Sequence, residues 1–154
     1  MRHELDSAYW ALRLGIGTTA FLAGLDKYFN LLADWAGYLS PMAAALLPVS
    51  PTTAMHLVGL VEMAVGLAVL MAWTRVGAYV ASAWLLAIAV NLLTAGYLDV
   101  AVRDVVMSIA AYTLARLSEV RALATERAGE GGRVTAGETR GAVGALRARD
   151  KLSA

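Results

Sequence analysis

The chain has 154 residues, of which 59% are hydrophobic and 16% are charged, and its formal net charge is +1. Its mean hydropathy of +0.61 excludes an intrinsically disordered chain and argues against an ordinary soluble enzyme. The absence of cysteine excludes disulfides, thiolate metal sites and cysteine nucleophiles, and two histidines cannot supply a bis-histidine haem within a membrane because one of them is His3. The small net charge gives no indication of a nucleic-acid partner.

Charge is distributed unevenly along the chain. Residues 1–115 hold five basic and seven acidic side chains, whereas residues 116–154 hold eight basic and five acidic ones. Six of the fourteen glycines also lie after residue 128. A segment so rich in glycine and charge buries too little apolar surface to offset its ordering entropy. We therefore expect one transmembrane domain over residues 1–128 and a disordered cytoplasmic tail over 129–154.

Four apolar segments are long enough to span a bilayer as helices, which takes about 20 residues. They cover residues 7–30, 51–73, 75–96 and 100–117. Asp6 or Ser7 can cap the first segment, Ser50 followed by a proline starts the second, Gly96 ends the third, and Asp99 can cap the fourth. The segments are rich in alanine and leucine and lack the period-two alternation of strands. The fold class predicted is an all-α integral membrane four-helix bundle.

The long connection between the first two segments contains a second helix start. Ser40-Pro41 repeats the combination of cap and proline, and the apolar run after it ends at Leu47, which is too short to span a membrane. We expect a short helix at the outer interface, with a simple amphipathic spacer as the alternative.

The basic residues at the segment ends predict the orientation. Arg2, Arg75 and the arginine-rich tail should be cytoplasmic, because lysine and arginine concentrate on that side of membrane proteins. Four spans then place both termini in the cytoplasm.

Ionisable residues within the apolar segments are the main candidates for function. They are Arg13, Asp26, Lys27, Glu62, Arg103 and Asp104. Such groups cost at least about 2.5–3.5 kcal/mol each in a bilayer and usually face the bundle interior in pairs. The set contains three charges of each sign, and this balance is what buried charges require.

The helix rise places these residues at different depths. Glu62 lies roughly 16 Å below the outer end of its span, close to the midplane. The outer half of the bilayer holds Lys27, Asn91, Arg103 and Asp104. We therefore expect an outward-opening polar pocket with Glu62 as its floor. The predicted ligand-binding residues of this pocket are Lys27, Glu62, Asn91, Arg103 and Asp104. Gly59 and Gly66 flank Glu62 and should let another helix approach closely.

Each candidate has a functional and a structural interpretation. Glu62 and Asp104 are candidate proton-handling groups, whereas Arg13 and Asp26 are predicted to form structural ion pairs. Arg13 could instead extend to the inner lipid phosphates. Asn91 could simply tie helices together.

A packing role is also open for the outer charges. Arg103 and Asp104 could pair with Asp26 and Lys27 only to fix the helices. No residue set indicates an intrinsic metal or haem site.

Several short motifs together resemble one family. The motifs are Arg13-Leu14-Gly15-Ile16-Gly17, Ala23-Gly24-Leu25-Asp26-Lys27, Gly59-Leu60-Val61-Glu62 and Val102-Arg103-Asp104. The pattern resembles the DoxX family of small four-helix bacterial membrane proteins over about residues 7–118. The resemblance implies an accessory subunit of a membrane oxidoreductase that meets the quinone pool, with a quinone as the candidate cofactor.

Two classes of function and one purely structural alternative follow. Whether the chain itself catalyses a reaction stays open. In the first, the pocket holds a quinol headgroup or a sulfur oxyanion, Lys27 and Arg103 bind anionic oxygen, and Glu62 or Asp104 exchanges protons. The expected partners are then the lipid bilayer and oxidoreductase subunits. In the second, the same pocket serves a non-enzymatic binding or transport protein for a small molecule. A helix-packing scaffold for a membrane complex is the third alternative.

Overall fold

The computed structural model describes residues 2–152, and it describes side chains for residues 4–127 and 129. Between residues 2 and 152 the chain forms five α-helices and one short 3-10 helix. They are α1 (Arg2–Asp26), the 3-10 helix (Trp35–Tyr38), α2 (Pro41–Leu46), α3 (Pro51–Leu70), α4 (Thr74–Ala95) and α5 (Leu98–Leu152). No strand occurs between residues 2 and 152, so the all-α prediction is confirmed.

Three predicted helix boundaries are confirmed by their capping geometry. The Ser40 and Ser50 hydroxyls accept hydrogen bonds from the backbone N–H groups of Ala43 and Thr53 at 3.1 and 3.2 Å. These bonds satisfy donors that a helix N-terminus leaves free. Gly96 follows α4 with a φ of +87°, the left-handed conformation in which glycine commonly ends a helix.

The first helix differs from its predicted range at both ends. It begins at Arg2 rather than Ser7, and it ends at Asp26 rather than Asn30. The early end has a local cause, because the Asp26 carboxylate accepts hydrogen bonds from the backbone N–H groups of Leu31 and Leu32, both at 3.0 Å. Side-chain bonds of this kind offer the backbone an alternative to continuing the helix.

The predicted disordered tail is also corrected, because α5 continues as helix through residues 129–152. Residues 153–154 lie outside the described part of the chain. The segment after residue 118 contains many alanine, arginine and glutamate residues and no proline, and these helix-forming residues outweigh the glycines. The chain divides into two compact units, residues 1–118 and 119–154.

Helices α1 and α3 cross at paired glycines. A Cβ atom on Gly24 would lie 2.5 Å from the carbonyl oxygen of Gly59, and a Cβ on Gly59 would lie 2.5 Å from that of Gly24. Gly66 meets Gly17 in the same way, since its Cβ would lie 2.7 Å from the Gly17 carbonyl oxygen. The two backbones are therefore in direct contact, which confirms the expected close approach beside Glu62.

One hydrophobic core lies within the first unit and draws on all four of its long helices. Its buried members are Tyr9, Ile16, Val65, Val69, Ala78, Ala81, Ala111, Leu114 and Ala115. A polar contact adds to the packing of α4 on α5, because the Ser108 hydroxyl donates to the Ser82 carbonyl oxygen at 2.8 Å. Four of these nine residues are alanines, and such small side chains permit close helix packing.

Arg13 caps the C-terminus of α3 instead of forming the predicted ion pair. Its guanidinium donates to the carbonyl oxygens of Val69, Leu70 and Met71 at 3.1, 2.7 and 2.5 Å. A positive charge at the C-terminus of a helix also interacts favourably with the helix dipole. The salt bridges within the described part of the chain do not include Arg13, so the predicted ion pair is wrong.

Two of the described helices, α3 and α4, are long and apolar enough to cross a membrane. Within the most apolar 18 residues of each helix, only 39% of α3 and 33% of α4 is buried inside the protein. Large apolar side chains are exposed along all four long helices, for example Leu22, Leu60, Leu86 and Ile109.

Candidate ligand-binding cavity

A cavity of about 550 Å³ lies within the first unit, and every helix contributes to its wall. This volume is within the range of about 300–1,000 Å³ that is common for small-molecule sites. Most of the lining is apolar, with residues such as Ile16, Val65, Leu85 and Met107. All five residues predicted to bind a ligand line this one cavity: Lys27, Glu62, Asn91, Arg103 and Asp104.

A buried salt bridge is the most enclosed polar feature of the cavity. Lys27 Nζ donates to Glu62 Oε2 at 2.5 Å, and the Lys27 side chain is only 5% exposed. The glycine crossing explains the pairing, because Lys27 lies three residues after Gly24 and Glu62 three residues after Gly59. Residues three apart share a helix face, so the contact of the glycines brings the charged side chains together.

Trp35 covers the Lys27 ammonium from the other side. The centroid of its ring lies 3.9 Å from Lys27 Nζ, which is a close cation–π contact. The Trp35 indole N–H donates to Asp26 Oδ2 at 2.8 Å. Trp35 is a site residue that the sequence did not reveal, since its position depends on the fold of the loop before the 3-10 helix.

Asp26 anchors this loop and does not form the predicted ion pair. Its carboxylate accepts three hydrogen bonds, from the indole of Trp35 and from two backbone N–H groups, and it is absent from the salt bridges of the described residues. The prediction of a structural role stands, but its partners are hydrogen-bond donors of the loop.

We expect Asp26→Ala to release the loop over the cavity. Because the chain contains no cysteine, Ala33→Cys places a single reactive thiol in the loop beside the cavity. Its labelling rate by a maleimide should rise at least about tenfold in the Asp26→Ala background, which corresponds to about 1.4 kcal/mol. Asp34→Ala is the matched control, since the Asp34 side chain makes no capping hydrogen bond. Equal labelling rates in the Asp26→Ala and Asp34→Ala variants would contradict the anchoring role of Asp26.

Asn91 connects α4 to the chain between the 3-10 helix and α2. Its Oδ1 accepts from the backbone N–H of Ser40 at 3.0 Å, and its Nδ2 donates to the carbonyl oxygen of Tyr38 at 2.8 Å. The structure thus supports a structural role for Asn91. Its two partners lie in the connection between α1 and α3 and not on another span.

Arg103 and Asp104 occupy different environments although they are neighbours. Arg103 lies 3.4 Å from Asp99 Oδ2, and both side chains of this pair are 72% exposed. The predicted alternative pairing of Arg103 with Asp26 is therefore wrong. Asp104 is partly buried and forms no hydrogen bond or salt bridge with any other described residue. The charges of Lys27 and Glu62 are close enough to act on it.

The cavity can bind a small molecule through a small set of polar groups in an apolar wall. Lys27, Glu62 and Asp104 carry a formal charge of one negative unit together. Trp84 also lines the cavity, and its indole N–H is a buried donor without a partner among the described residues. Within the same residues, no group of three or more histidine and acidic side chains is arranged to hold a metal ion.

Comparisons of the chain with protein-family models, curated proteins and solved structures find no match.

Proposed function

We propose that this chain is an integral membrane protein of the DoxX type with four spans. These are α1, α3, α4 and the first part of α5, with α2 at the outer interface and both termini in the cytoplasm of a bacterial cell. The support is the apolar surface of the long helices, since contiguous exposed apolar surface marks contact with lipid or protein. The low buried share of α3 and α4 is the reverse of what core helices of a soluble protein have.

The proposed function is that of an accessory subunit of a membrane oxidoreductase that binds a quinone-type molecule in the cavity. The observation that carries it is the composition of the wall, which is apolar except for a few polar groups that include the Lys27–Glu62 pair and Asp104. A quinone has the matching chemistry, namely a ring with two oxygens on an apolar body. A sulfur oxyanion fits less well, because Glu62 already neutralises Lys27 and Asp104 adds a negative charge.

A second candidate function is non-redox binding or transport of a small amphiphilic molecule. The Asp104 carboxylate favours it, because it makes no hydrogen bond or salt bridge with the described residues and would serve a ligand of any class that offers a hydrogen-bond donor. A helix-packing scaffold is the third candidate, and the Lys27–Glu62 bridge between α1 and α3 favours that one.

The test is to purify the full chain from its native membranes in a mild detergent and to identify bound quinone and associated proteins by mass spectrometry. We expect a quinone and an oxidoreductase subunit to be retained. Ala20→Phe should reduce the retained quinone at least about tenfold, since Ala20 lines the cavity and a larger side chain fills it. Ala11→Phe, on the exposed side of the same helix, is the matched control.

The other outcomes separate the three candidates. Retention of a different small molecule that Ala20→Phe displaces would replace the redox function by binding or transport. A protein that carries no small molecule and no redox partner would contradict both of these functions and favour the scaffold.

A further inference from the structure

We infer that the cavity selects ligands that donate a hydrogen bond, and that Asp104 is the residue that accepts it. This inference rests on the proposed function and deepens it. Among quinone-type molecules, the cavity would take the hydroxyl-bearing, reduced form in preference to the form that carries only carbonyl oxygens.

The first step is that the donors of Lys27 and Asn91 already have partners. The Lys27 ammonium donates to Glu62 Oε2 at 2.5 Å and lies 3.5 Å from the Ala23 carbonyl oxygen. The Trp35 ring covers it as well. The amide of Asn91 is likewise committed to the loop through both its oxygen and its nitrogen.

The Thr19 and Tyr38 hydroxyls also line the cavity, but a hydroxyl can accept as well as donate, so these two groups serve either kind of ligand. Two other donors of the lining are poorly placed to serve a ligand. The Arg103 guanidinium is mostly exposed and pairs with Asp99. The Trp84 indole nitrogen is buried in the wall, with no accessible surface for a ligand to contact.

The second step is that the acceptors are in excess. Asp104 has two carboxylate oxygens and no hydrogen-bond partner among the described residues. Glu62 engages Lys27 through one oxygen, Oε2, and its other oxygen makes no hydrogen bond there. At a pH at which these carboxylates are ionised, they only accept hydrogen bonds, so the ligand must supply the donor.

The third step is the consequence for affinity. A ligand hydroxyl that donates to Asp104 forms a charge-assisted hydrogen bond, which is stronger than a neutral one. A ligand carbonyl or ether oxygen at the same place brings two acceptors together and displaces the water that the carboxylate would otherwise bind. We expect a preference of at least about tenfold for the donor-bearing ligand, and the apolar wall opposes this preference because it favours the less polar compound.

The experiment uses two redox-inert probes that differ by one methyl group, 4-nonylphenol and its methyl ether, with the full-length protein in a mild detergent. Their dissociation constants are measured by quenching of tryptophan fluorescence. The phenol should bind at least about tenfold more tightly than the ether. In Asp104→Asn the ratio should fall close to one, because an amide can donate to the ether oxygen as well as accept from the phenol.

Asp34→Asn is the matched control and should keep the ratio of the unsubstituted protein, because Asp34 does not line the cavity. Comparing the ratio between variants also removes any difference in how the two probes partition into detergent. The preference in the unsubstituted protein is informative by itself, so the test does not depend on whether Asp104→Asn folds.

Each other outcome has a definite meaning. Equal binding of both probes overturns the inference and leaves the proposed function in place if quinone is retained from native membranes. A phenol preference that Asp104→Asn does not change overturns the role of Asp104. A phenol preference without any retained quinone supports the selectivity and contradicts the redox function. Binding of neither probe overturns the inference, and the absence of retained quinone as well would overturn both.

Discussion

Replacing Lys27 by methionine is expected to destabilise the protein by about 3–5 kcal/mol, the usual cost of removing one partner of a buried ion pair. The substitution leaves the Glu62 carboxylate buried without its cation. It also removes the cation whose charge acts on both Glu62 and Asp104, and these two carboxylates lie close enough to repel each other. Trp35 loses the ammonium beneath its ring as well.

The converse substitution, Glu62→Gln, should cost less than Lys27→Met. The Lys27 ammonium keeps its contact with Trp35, and Asp104 supplies a second negative charge within electrostatic range. The double variant Lys27→Met/Glu62→Gln removes both charges, so it should recover most of the stability that Lys27→Met loses. The two effects are therefore expected to be strongly non-additive.

Thermal unfolding of the four proteins in one detergent gives this double-mutant cycle. The Asp99–Arg103 pair provides the control, because both of its side chains are exposed and such pairs contribute only about 0.3–0.5 kcal/mol. Additive losses at Lys27 and Glu62 would show that the bridge does not stabilise the fold. A stable double variant that no longer retains a ligand would assign the pair to binding and argue against a scaffold.

The local features of the fold were readable from the sequence because they depend on neighbouring residues. Ser40 and Ser50 were predicted as caps from a serine before a proline, and both caps are present. The glycine faces beside Glu62 predicted a close helix crossing, and α1 and α3 meet there. Helical periodicity and depth placed five polar residues at one cavity, because both follow from the fixed geometry of a helix.

The features that the sequence did not reveal depend on contacts between distant segments. Arg13 finds its partners more than fifty residues away, at the end of α3, where the last turn of a helix leaves carbonyl oxygens without partners in the helix. Asp26 and Trp35 pair across a loop whose path is not fixed by any periodic pattern. The number of charges in the apolar zone was informative, but it did not specify which charges pair.

Gly24→Ala is expected to destabilise the protein by about 1–3 kcal/mol, the typical cost of overpacking a close contact. The added Cβ would lie 2.5 Å from the Gly59 carbonyl oxygen and 2.8 Å from the Met63 nitrogen. These are backbone atoms, so the helices themselves must move apart. Gly15→Ala is the matched control on the same helix, because no atom lies within 4 Å of its added Cβ. It should be neutral or stabilising by up to about 1 kcal/mol, since alanine has a higher helix propensity than glycine.

The displacement of α1 from α3 should also reach the cavity, because the same glycines bring Lys27 and Glu62 together. Gly24→Ala is therefore expected to lower the coupling energy between Lys27 and Glu62 in the double-mutant cycle, whereas Gly15→Ala leaves it unchanged. Thermal unfolding measures both effects in the same detergent. If Gly24→Ala proved as stable as Gly15→Ala, the helices could not be in backbone contact at this point. The close crossing would then not be the reason that a lysine and a glutamate are held together inside an apolar bundle.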